Sequence, residues 1–300
     1  MRILLTGGTG LIGRALCRLW SAQGHQLVVW SRRPAEVAAL CSGARGIARL
    51  DELDAAQAPE VVVNLAGAPI ADRPWTAARR RLLWDSRVAL TRELVDWLAT
   101  LAQRPRLLLS GSAVGWYGDG GERRLDEDSP AGREDFGSEL CFAWEMEAQR
   151  AEELGVRVAL LRTAPVLAPR GGMLDRLLPA FRLGLGGRMG SGRQWMPWIH
   201  LDDEVGLIDF LVHHADCRGP YNGCAPNPVR NAEFAATLAR VLHRPALLPA
   251  PAGLLRLAFG EMSGLLLGGQ HLLPRRTLEA GYRFRFPDLE AALVDLLDRH

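Results

Sequence analysis

The 300-residue chain contains no lysine, because all 36 of its basic residues are arginine. Mechanisms that need a lysine amine, such as Schiff-base formation or a phosphate-binding loop lysine, are therefore excluded, since the permanently charged guanidinium does not replace a compact ammonium group. Tyrosine is scarce as well, with three residues, at positions 117, 221 and 282. None of them has a lysine four residues later, so a tyrosine–lysine catalytic pair is also excluded.

The sequence also lacks the usual signals of membrane, metal-binding and secreted proteins. No uninterrupted apolar run reaches the about 18 residues needed to span a bilayer, and the N-terminus enters a strand at once rather than a signal-peptide core. Five cysteines form no Cys-x-x-Cys pair, and seven histidines are scattered. We therefore expect reduced thiols, no metal and a cytoplasmic location. The net charge of +2, with scattered arginines, argues against nucleic-acid or membrane partners.

What remains is the composition of a globular chain, with 48% hydrophobic and 23% charged residues. Such a chain is long enough for one large α/β domain and a smaller appendage. Strand-like apolar runs alternate with helical patterns, which favours a Rossmann-like, doubly wound parallel sheet. We place this domain at residues 1–244. The segment 245–300, rich in Leu, Pro and Gly, is expected to be a small C-terminal domain that caps the first.

A glycine-rich turn follows the first predicted strand. Residues 6–13 read TGGTGLIG, with glycines at 7, 10 and 13 between an apolar run at 3–5 and a helical pattern over 14–23. One glycine of such a turn permits the tight bend, a second lets the backbone approach a pyrophosphate, and a third lets helix and strand pack closely. The positive end of the helix dipole then favours the phosphates. The segment predicts dinucleotide binding.

The end of the second predicted strand, at 26–30, bears on the choice between NAD and NADP. An acidic residue there would hydrogen-bond a ribose 2′-hydroxyl, but this chain reads Ser31-Arg32-Arg33-Pro34. Two guanidiniums and a hydroxyl can hold a 2′-phosphate through charge-assisted, often bidentate bonds. We therefore predict NADP(H) as the cofactor; the alternative is a solvated basic turn.

Two later strands are predicted to end in polar or glycine-rich segments. The apolar residues 61–63 open into the sequence NLAG at 64–67, and a strand at 106–109 runs into SGSAVGWYG at 110–118. Ligands of open α/β sheets bind at the carboxyl edge of the strands, so we expect both segments to face a ligand. Between them, the stretch 77–102 carries tryptophans and leucines at helical spacing, which predicts a helix packed on the core.

Together these motifs resemble the extended short-chain dehydrogenase/reductase superfamily, the group of sugar-nucleotide epimerases and dehydratases. SRRP at 31–34, GLGGRMGSGRQWMPWIHLDD at 184–203 and NGCAPNPVRNAEFA at 222–235 resemble more closely its atypical NAD(P)-dependent "epimerase family", which ends in a domain of unknown function. The resemblance covers nearly the whole chain. It implies an NADP(H)-binding oxidoreductase or epimerase acting on a small alcohol or carbonyl substrate, or on a nucleotide-linked one.

The resemblance also implies which residues contact the cofactor. Those under the pyrophosphate are Gly7, Thr9, Gly10, Leu11, Ile12 and Gly13. Ser31 and Arg32 are implied at the 2′-phosphate, with Arg33 as a helper. The adenosine and ribose side would be lined by Leu65, Ala66 and Gly67. Arg87 is expected near the cofactor, and Arg162 lies on the strand whose exit approaches the nicotinamide.

The chain departs from the superfamily at the catalytic tyrosine and lysine. The resemblance places Ser112 at the catalytic serine or threonine, and Cys141 and Glu145 at the tyrosine and lysine positions, whose residues normally exchange a proton and hold the ribose. Three interpretations stay open. Cys141 or Glu145 forms a new acid/base pair with Ser112; Tyr117 donates the proton; or Cys141 is a core residue and Glu145 a satisfied helix residue. Ser112 either faces the nicotinamide or caps a local turn.

Two functions fit this pattern. The first is an NADP(H)-dependent enzyme in which the cofactor carries the hydride while the protein orients the substrate and transfers the proton. The second is a non-catalytic NADP(H)-binding module that senses redox state or regulates a partner. Ser112 at the sheet edge, with a glycine-rich lid and Trp195 and Trp198 over it, favours the enzyme, which we place first. The missing tyrosine and lysine, together with the intact nucleotide turn, are the reason for the second hypothesis.

Overall fold

The computed structural model describes residues 1–54 and 57–298 of the chain. Its strands are β1 (Arg2–Thr6), β2 (Gln26–Trp30), β3 (Arg45–Ile47), β4 (Val61–Asn64), β5 (Leu107–Ala113), β6 (Arg124–Leu125), β7 (Arg157–Thr163), β8 (Val166–Leu167), β9 (Trp195–Met196), β10 (Ile199–His200), β11 (Gly219–Gly223), β12 (Val229–Arg230) and β13 (His271–Leu272). Its α-helices are α1 (Leu11–Ala22), α2 (Val37–Leu40), α3 (Ala77–Trp84), α4 (Leu90–Thr100), α5 (Phe136–Gln149), α6 (Gly172–Arg182), α7 (Leu201–His213), α8 (Asn231–Val241), α9 (Ala252–Phe259), α10 (Gly264–Leu267), α11 (Arg275–Glu279) and α12 (Leu289–Asp298).

A parallel seven-stranded sheet forms the centre of the molecule, in the order β11-β7-β5-β4-β1-β2-β3. This architecture confirms the predicted Rossmann-like α/β class. The central strands are buried on both faces, which explains why β4 and the first half of β5 are continuous apolar runs rather than alternating ones. From β1, the sheet is extended on one side by β2 and then β3, and the chain then crosses back to place β4 on the other side of β1. The strand order therefore reverses between β1 and β4, where such sheets bind ligands.

Helices cover both faces of the sheet. On one face, Leu16 and Trp20 of α1 pack with Leu207 and Leu211 of α7 in one apolar cluster. On the other face, α4 and α5 pack against the sheet through residues such as Leu98. The predicted helix over 77–102 is divided in the structure, because a π-helical turn at Asp85–Ala89 separates α3 from α4.

Several contacts tie the C-terminal segment to the rest of the chain. Leu289, Leu293 and Leu296 of α12 share a buried cluster with residues of α6 and α8. Strand β13 pairs with β6, inside the stretch that separates β5 from α5. The predicted boundary at residue 244 remains a prediction. Within the two described ranges, no helix is both long enough and apolar enough to cross a bilayer.

Candidate functional site

Two glycines of the turn between β1 and α1 are required by the fold itself. Gly7 has a φ of +70°, and a Cβ there would lie 2.5 Å from the carbonyl oxygen of Leu65. A Cβ on Gly13 would lie 2.3 Å from the carbonyl oxygen of Gly7. Both contacts are too short for any side chain. The tight turn and the close approach of helix and strand therefore account for these two positions.

Gly10 has no such internal reason to be glycine. Its φ is −78°, and the nearest atom to a Cβ would be the Gly7 carbonyl oxygen at 3.2 Å. It is exposed at the start of α1, where no side chain caps the helix and the first turn has no acidic residue. The open backbone N–H groups and the helix dipole at this point fit an anionic group such as a pyrophosphate.

The other residues predicted at this turn surround the same helix start. Leu11 and Ile12 are partly buried and pack against the cluster beneath the sheet. The Thr9 carbonyl oxygen accepts a hydrogen bond of 2.7 Å from Arg14 Nε, which fixes the backbone just before the helix. The structure thus brings the predicted phosphate-binding residues together around one open helix terminus.

The two arginines after β2 differ in how free their guanidiniums are to bind a ligand. Arg33 is paired with Glu36 at 3.0 Å, and its backbone N–H donates to Ser31 Oγ. Arg32 is exposed and has no ion pair within residues 1–54 and 57–298. Arg32 is therefore the guanidinium most available to a 2′-phosphate.

A buried hydrogen-bond network fixes the segment after β4. Thr6 Oγ1 donates to Asn64 Oδ1 at 2.6 Å and accepts from the backbone N–H of Ala66 at 3.0 Å. Asn64 Nδ2 donates in turn to Thr91 Oγ1 at 2.8 Å. Because these buried groups are paired, the polar ends of β1 and β4 are stable inside the sheet. They hold Leu65, Ala66 and Gly67 beside the glycine turn.

Arg87 lies against this segment. Its Cζ would be 2.8 Å from a Cβ on Gly67, and its Nη2 donates to the Ala68 carbonyl oxygen at 3.0 Å. Burial lowers the pKa of Arg87. In the part of the chain that the structure describes, no carboxylate forms an ion pair with it. A largely buried cation without an acidic partner fits a ligand anion at this edge.

At the end of β5, Ser112 is held by a buried ion pair. Its Oγ donates to Glu145 Oε1 at 2.6 Å. Arg162 on β7 binds the same carboxylate through Nε at 2.8 Å and Nη2 at 3.0 Å, and both side chains of this pair are almost completely buried. Burial alone would lower the pKa of Arg162, but the hydrogen bonds and charge of Glu145 raise it above its usual value. The guanidinium also lies 3.9 Å over the Trp116 ring.

Tyr117 joins this network behind the ion pair. Its hydroxyl accepts from Arg162 Nη1 at 3.0 Å and donates to Asn222 Oδ1 at 2.7 Å. Arg162 Nη1 also donates to the Glu127 carbonyl oxygen at 3.1 Å. Tyr117 is 2% exposed, and burial raises its pKa. In this arrangement the phenol orients Arg162 and carries its own proton toward Asn222.

Cys141 is close to Glu145 on α5 but packs in the interior. Its Sγ would lie 3.3 Å from a Cβ on Gly115. Burial, with the neighbouring charge of Glu145, raises the pKa of the Cys141 thiol to about 12. The thiol is therefore protonated at neutral pH and has the surroundings of a small core residue.

The structure thus divides the predicted residues into two groups along one sheet edge. The group predicted to face the nucleotide follows β1, β2 and β4, with Arg87 packed against it, and the group around Ser112 lies at the end of β5 and on α5 and β7. Sequence reasoning missed Asn222, Thr163 and Glu204, which lie near the second group. Asn222 and Thr163 are polar residues at the ends of strands, the same signal that indicated Ser112. No group of three or more His, Cys, Asp or Glu side chains in the described ranges is placed to hold a metal.

The open glycine turn, the basic residues after β2 and the polar edge of β5 together define a dinucleotide-binding protein of the Rossmann type. The chain belongs to the NAD dependent epimerase/dehydratase family, whose sequence model matches residues 3–222. This finding confirms the family resemblance. A second match, over residues 250–296, is to a domain of unknown function (DUF1731).

Individual relatives match over nearly their full length. Epimerase family protein YfhF of Bacillus subtilis (strain 168) is 38% identical over 305 residues, which cover 99% of this chain and 98% of the relative. Epimerase family protein SDR39U1 of Mus musculus is 38% identical over 302 residues, which cover 99% of this chain and 100% of the relative. A crystal structure of human epimerase family protein SDR39U1 (isoform2) with NADPH has a TM-score of 0.90 and 36% identity, covering 100% of both chains.

Proposed function

We propose that this chain is an NADP(H)-binding oxidoreductase of the epimerase family that acts on a small alcohol or carbonyl substrate. The observation that carries the proposal is the Ser112 hydroxyl bonded to the Glu145 carboxylate at the same sheet edge as the open nucleotide turn. Ser112 and Glu145 supply a proton-handling pair where the superfamily's tyrosine and lysine are absent.

Three features support NADP(H) as the cofactor. The human relative with 36% identity was crystallised with NADPH. The uncapped start of α1 fits the pyrophosphate. Ser31 and Arg32 offer a hydroxyl and an unpaired guanidinium for the 2′-phosphate, with Arg33 close by, and this set favours NADP(H) over NAD(H).

The direction of the hydrogen bonds suggests how the pair works. When bound, the nicotinamide ring accepts or supplies a hydride. Ser112 donates its own proton to Glu145, so the lone pairs of its Oγ are free to accept a hydrogen bond from a substrate hydroxyl. Arg162 pairs with the same carboxylate at 2.8 Å. The pair is therefore arranged as a general base, which draws the hydroxyl proton through Ser112 toward Glu145 as an alcohol is oxidised.

A non-catalytic NADP(H)-binding module is the second candidate. It is favoured by the protonated states of Tyr117 and Cys141, whose pKa values are raised by burial, and by the ion pair that neutralises Glu145. In that function the buried network serves stability alone, and the bound nucleotide reports redox state to a partner.

We propose a cytoplasmic location and a small-molecule substrate, without nucleic-acid or membrane partners. The location is supported by the cysteines at 17, 41, 141, 217 and 224, all of which are free and buried thiols. Such thiols suit a reducing compartment.

Turnover assays separate the two candidate functions. We expect the wild type to oxidise NADPH with some member of a panel of carbonyl compounds, or to reduce NADP+ with the matching alcohol. Ser112→Ala should lose about 100-fold or more of this rate, because it removes the proton path, whereas Cys141→Ala and Tyr117→Phe should retain most of it. If no compound is turned over while NADPH binds tightly, the non-catalytic function is the correct one.

A binding assay tests the cofactor assignment. Arg32→Ala should weaken NADPH binding by about 1.5 to 3 kcal/mol, because a charged hydrogen bond to the 2′-phosphate is lost, and should leave NADH binding nearly unchanged. Arg33→Ala is the matched control, since Arg33 is already paired with Glu36, and it should have a smaller effect. Equal losses for NADPH and NADH would rule out the 2′-phosphate contact.

A further inference from the structure

Two stretches of the chain contain arginine but no acidic residue. Residues 176–201 contain four arginines and no Asp or Glu, and residues 234–260 contain three arginines and no Asp or Glu. The whole chain has 36 basic and 34 acidic residues and is nearly neutral. These two stretches therefore carry a local excess of positive charge.

The fold places the two stretches side by side. Arg244 Nε, in the second stretch, donates to the carbonyl oxygen of Arg182, in the first, at 3.0 Å. The backbone N–H of Gly190 donates to the Ala250 carbonyl oxygen at 2.8 Å, and a Cβ on Gly190 would lie 3.6 Å from that of Ala252, at the start of α9. The first stretch therefore adjoins both the second stretch and α9.

Leucines are exposed along this surface. Helix α9 has no buried residue, although its sequence, AGLLRLAF, is mostly apolar. Leu254 and Leu257, which lie on one face of the helix because they are three residues apart, are 62% and 85% exposed. The leucines exposed on the adjoining segments are Leu183, Leu185, Leu247 and Leu248. These six leucines form the leucine patch. A group of exposed apolar side chains with charged residues around it is typical of an interaction site.

Three exposed arginines border the leucine patch, and their charges are not neutralised. None of Arg182, Arg244 and Arg256 forms an ion pair with a carboxylate in residues 1–54 and 57–298. Arg240, in the second stretch, differs from them because it is paired with Glu290 at 2.6 Å. The surface around the leucines therefore offers guanidiniums without carboxylates of its own.

We propose that the leucine patch is the docking site of an amphipathic protein helix that carries Asp or Glu beside its apolar face. The apolar face of that helix covers the leucines, which removes them from water. Its carboxylates pair with Arg182, Arg244 and Arg256, and this complementarity selects the partner and speeds the encounter. The inference depends neither on nucleotide binding nor on the proposed reaction.

Charge and composition distinguish this occupant from a second copy of the chain and from a membrane. A symmetric dimer through the leucine patch would bring the arginines of both copies together, and like charges at an interface are unfavourable. Surfaces that bind membranes are enriched in tryptophan and tyrosine at the level of the lipid headgroups, and the leucine patch has neither. A partner that supplies carboxylates therefore fits the surface best.

Fluorescence anisotropy of a labelled synthetic peptide, titrated with the full chain, tests the site. The probe is an amphipathic helix about five turns long, with leucines on one face and glutamates beside them. The control peptide has lysine at every glutamate position. We expect saturable binding of the glutamate peptide that weakens as salt is added. The lysine peptide should bind at least about tenfold more weakly.

Variants at exposed positions locate the binding. Leu254→Gln/Leu257→Gln should weaken binding of the glutamate peptide by about tenfold or more, because apolar anchors are lost. Leu278→Gln, at a leucine outside the patch that is 48% exposed, is the matched control and should bind like the wild type. Arg244→Glu/Arg256→Glu should reverse the preference, so that the lysine peptide binds more tightly than the glutamate peptide.

The results that overturn the proposal are distinct. They are no saturable binding of the glutamate peptide, equal affinity for both peptides, or an unchanged preference in the charge-reversal variant. Phosphatidylglycerol vesicles and sedimentation velocity test the other occupants. Vesicle binding that is lost in Leu254→Gln/Leu257→Gln would identify a membrane contact, and a dimer lost in the same variant would identify a self-association surface. Either result would also overturn the proposal.

Discussion

At the scale of single residues, two buried carboxyl groups have different surroundings. Glu145 and Glu204 are both buried, but Arg162 binds only Glu145. The chain thus contains one carboxyl group held in an ion pair and one held as an acid. Each state has a separate consequence for stability.

The raised pKa of Glu204 predicts that the folded protein loses stability as pH rises. The carboxyl ionises near pH 4.5 in an unfolded chain and near pH 8 in the fold. Between these values the folded state binds more protons, so the free energy of unfolding falls with rising pH. Glu204→Gln should remove this loss, worth several kcal/mol at about 1.4 kcal/mol per pKa unit. Its Tm should exceed that of the wild type at pH 8.5, and the difference should shrink toward pH 5.

Glu233→Gln, at an exposed position of α8, is the control and should follow the wild type throughout. Parallel Tm curves for the wild type and Glu204→Gln between pH 5 and 8.5 would contradict the assignment of an undissociated Glu204.

The ion pair of Glu145 makes Arg162 a residue on which the fold depends. Arg162→Met leaves a buried carboxylate without its cation, which should cost about 3–5 kcal/mol of unfolding free energy. The double variant Arg162→Met/Glu145→Leu removes both charges and should recover most of that loss. Urea unfolding measures both values. Additive losses in the double variant would show that the two residues do not interact.

At the scale of elements, the turn between β1 and α1 contains one glycine that the fold requires, Gly13, and one that is expected to matter for NADPH binding, Gly10. Gly13→Ala should destabilise the protein by about 1–3 kcal/mol, because its Cβ overlaps the Gly7 carbonyl oxygen. Gly10→Ala places its Cβ 3.2 Å from the same oxygen, a much looser contact, and should change Tm by only a few degrees, but its methyl group would obstruct the open start of α1. Melting curves and NADPH titrations of both variants check this. Unchanged NADPH affinity in Gly10→Ala would place the phosphates elsewhere.

The elements also show what the sequence could and could not predict. The turn at Gly7–Gly13 is local in sequence, and its prediction needed only spacing and flanking periodicity. Strand β5 was predicted at 106–109 and extends to Ala113. Its serines and glycine are typical of a loop, but they continue the ladder because Ser110 and Ser112 find buried partners on other elements.

The partners of Ser112 show why the site was harder to predict than the fold. Glu145 and Arg162 meet Ser112 only after α5 and β7 have packed together, and their sequence separation carries no local signal. Cys141 was identified from its alignment with a family pattern and Tyr117 from its place beside the predicted ligand-binding edge, and neither signal indicates burial. The roles of these four residues in the reaction stay predictions.

At the scale of the whole molecule, the C-terminal segment completes a core rather than resting on its surface. Helix α12 buries Leu289, Leu293 and Leu296 against α6 and α8. Removal of residues 245–300 would expose this apolar face to water. We expect the fragment 1–244 to lose cooperative unfolding or to aggregate, as measured by circular dichroism and light scattering. A soluble fragment with the Tm of the full chain would show that the first 244 residues fold independently.

The central claim is that this fold binds NADP(H) across β1, β2 and β4, and calorimetric titration of the full-length wild type with NADPH and NADH tests it most directly. The account predicts saturable NADPH binding at one site per chain, at least about tenfold tighter than NADH, which corresponds to about 1.4 kcal/mol for the 2′-phosphate. No saturable binding of NADPH, or equal affinity for both nucleotides, would contradict it.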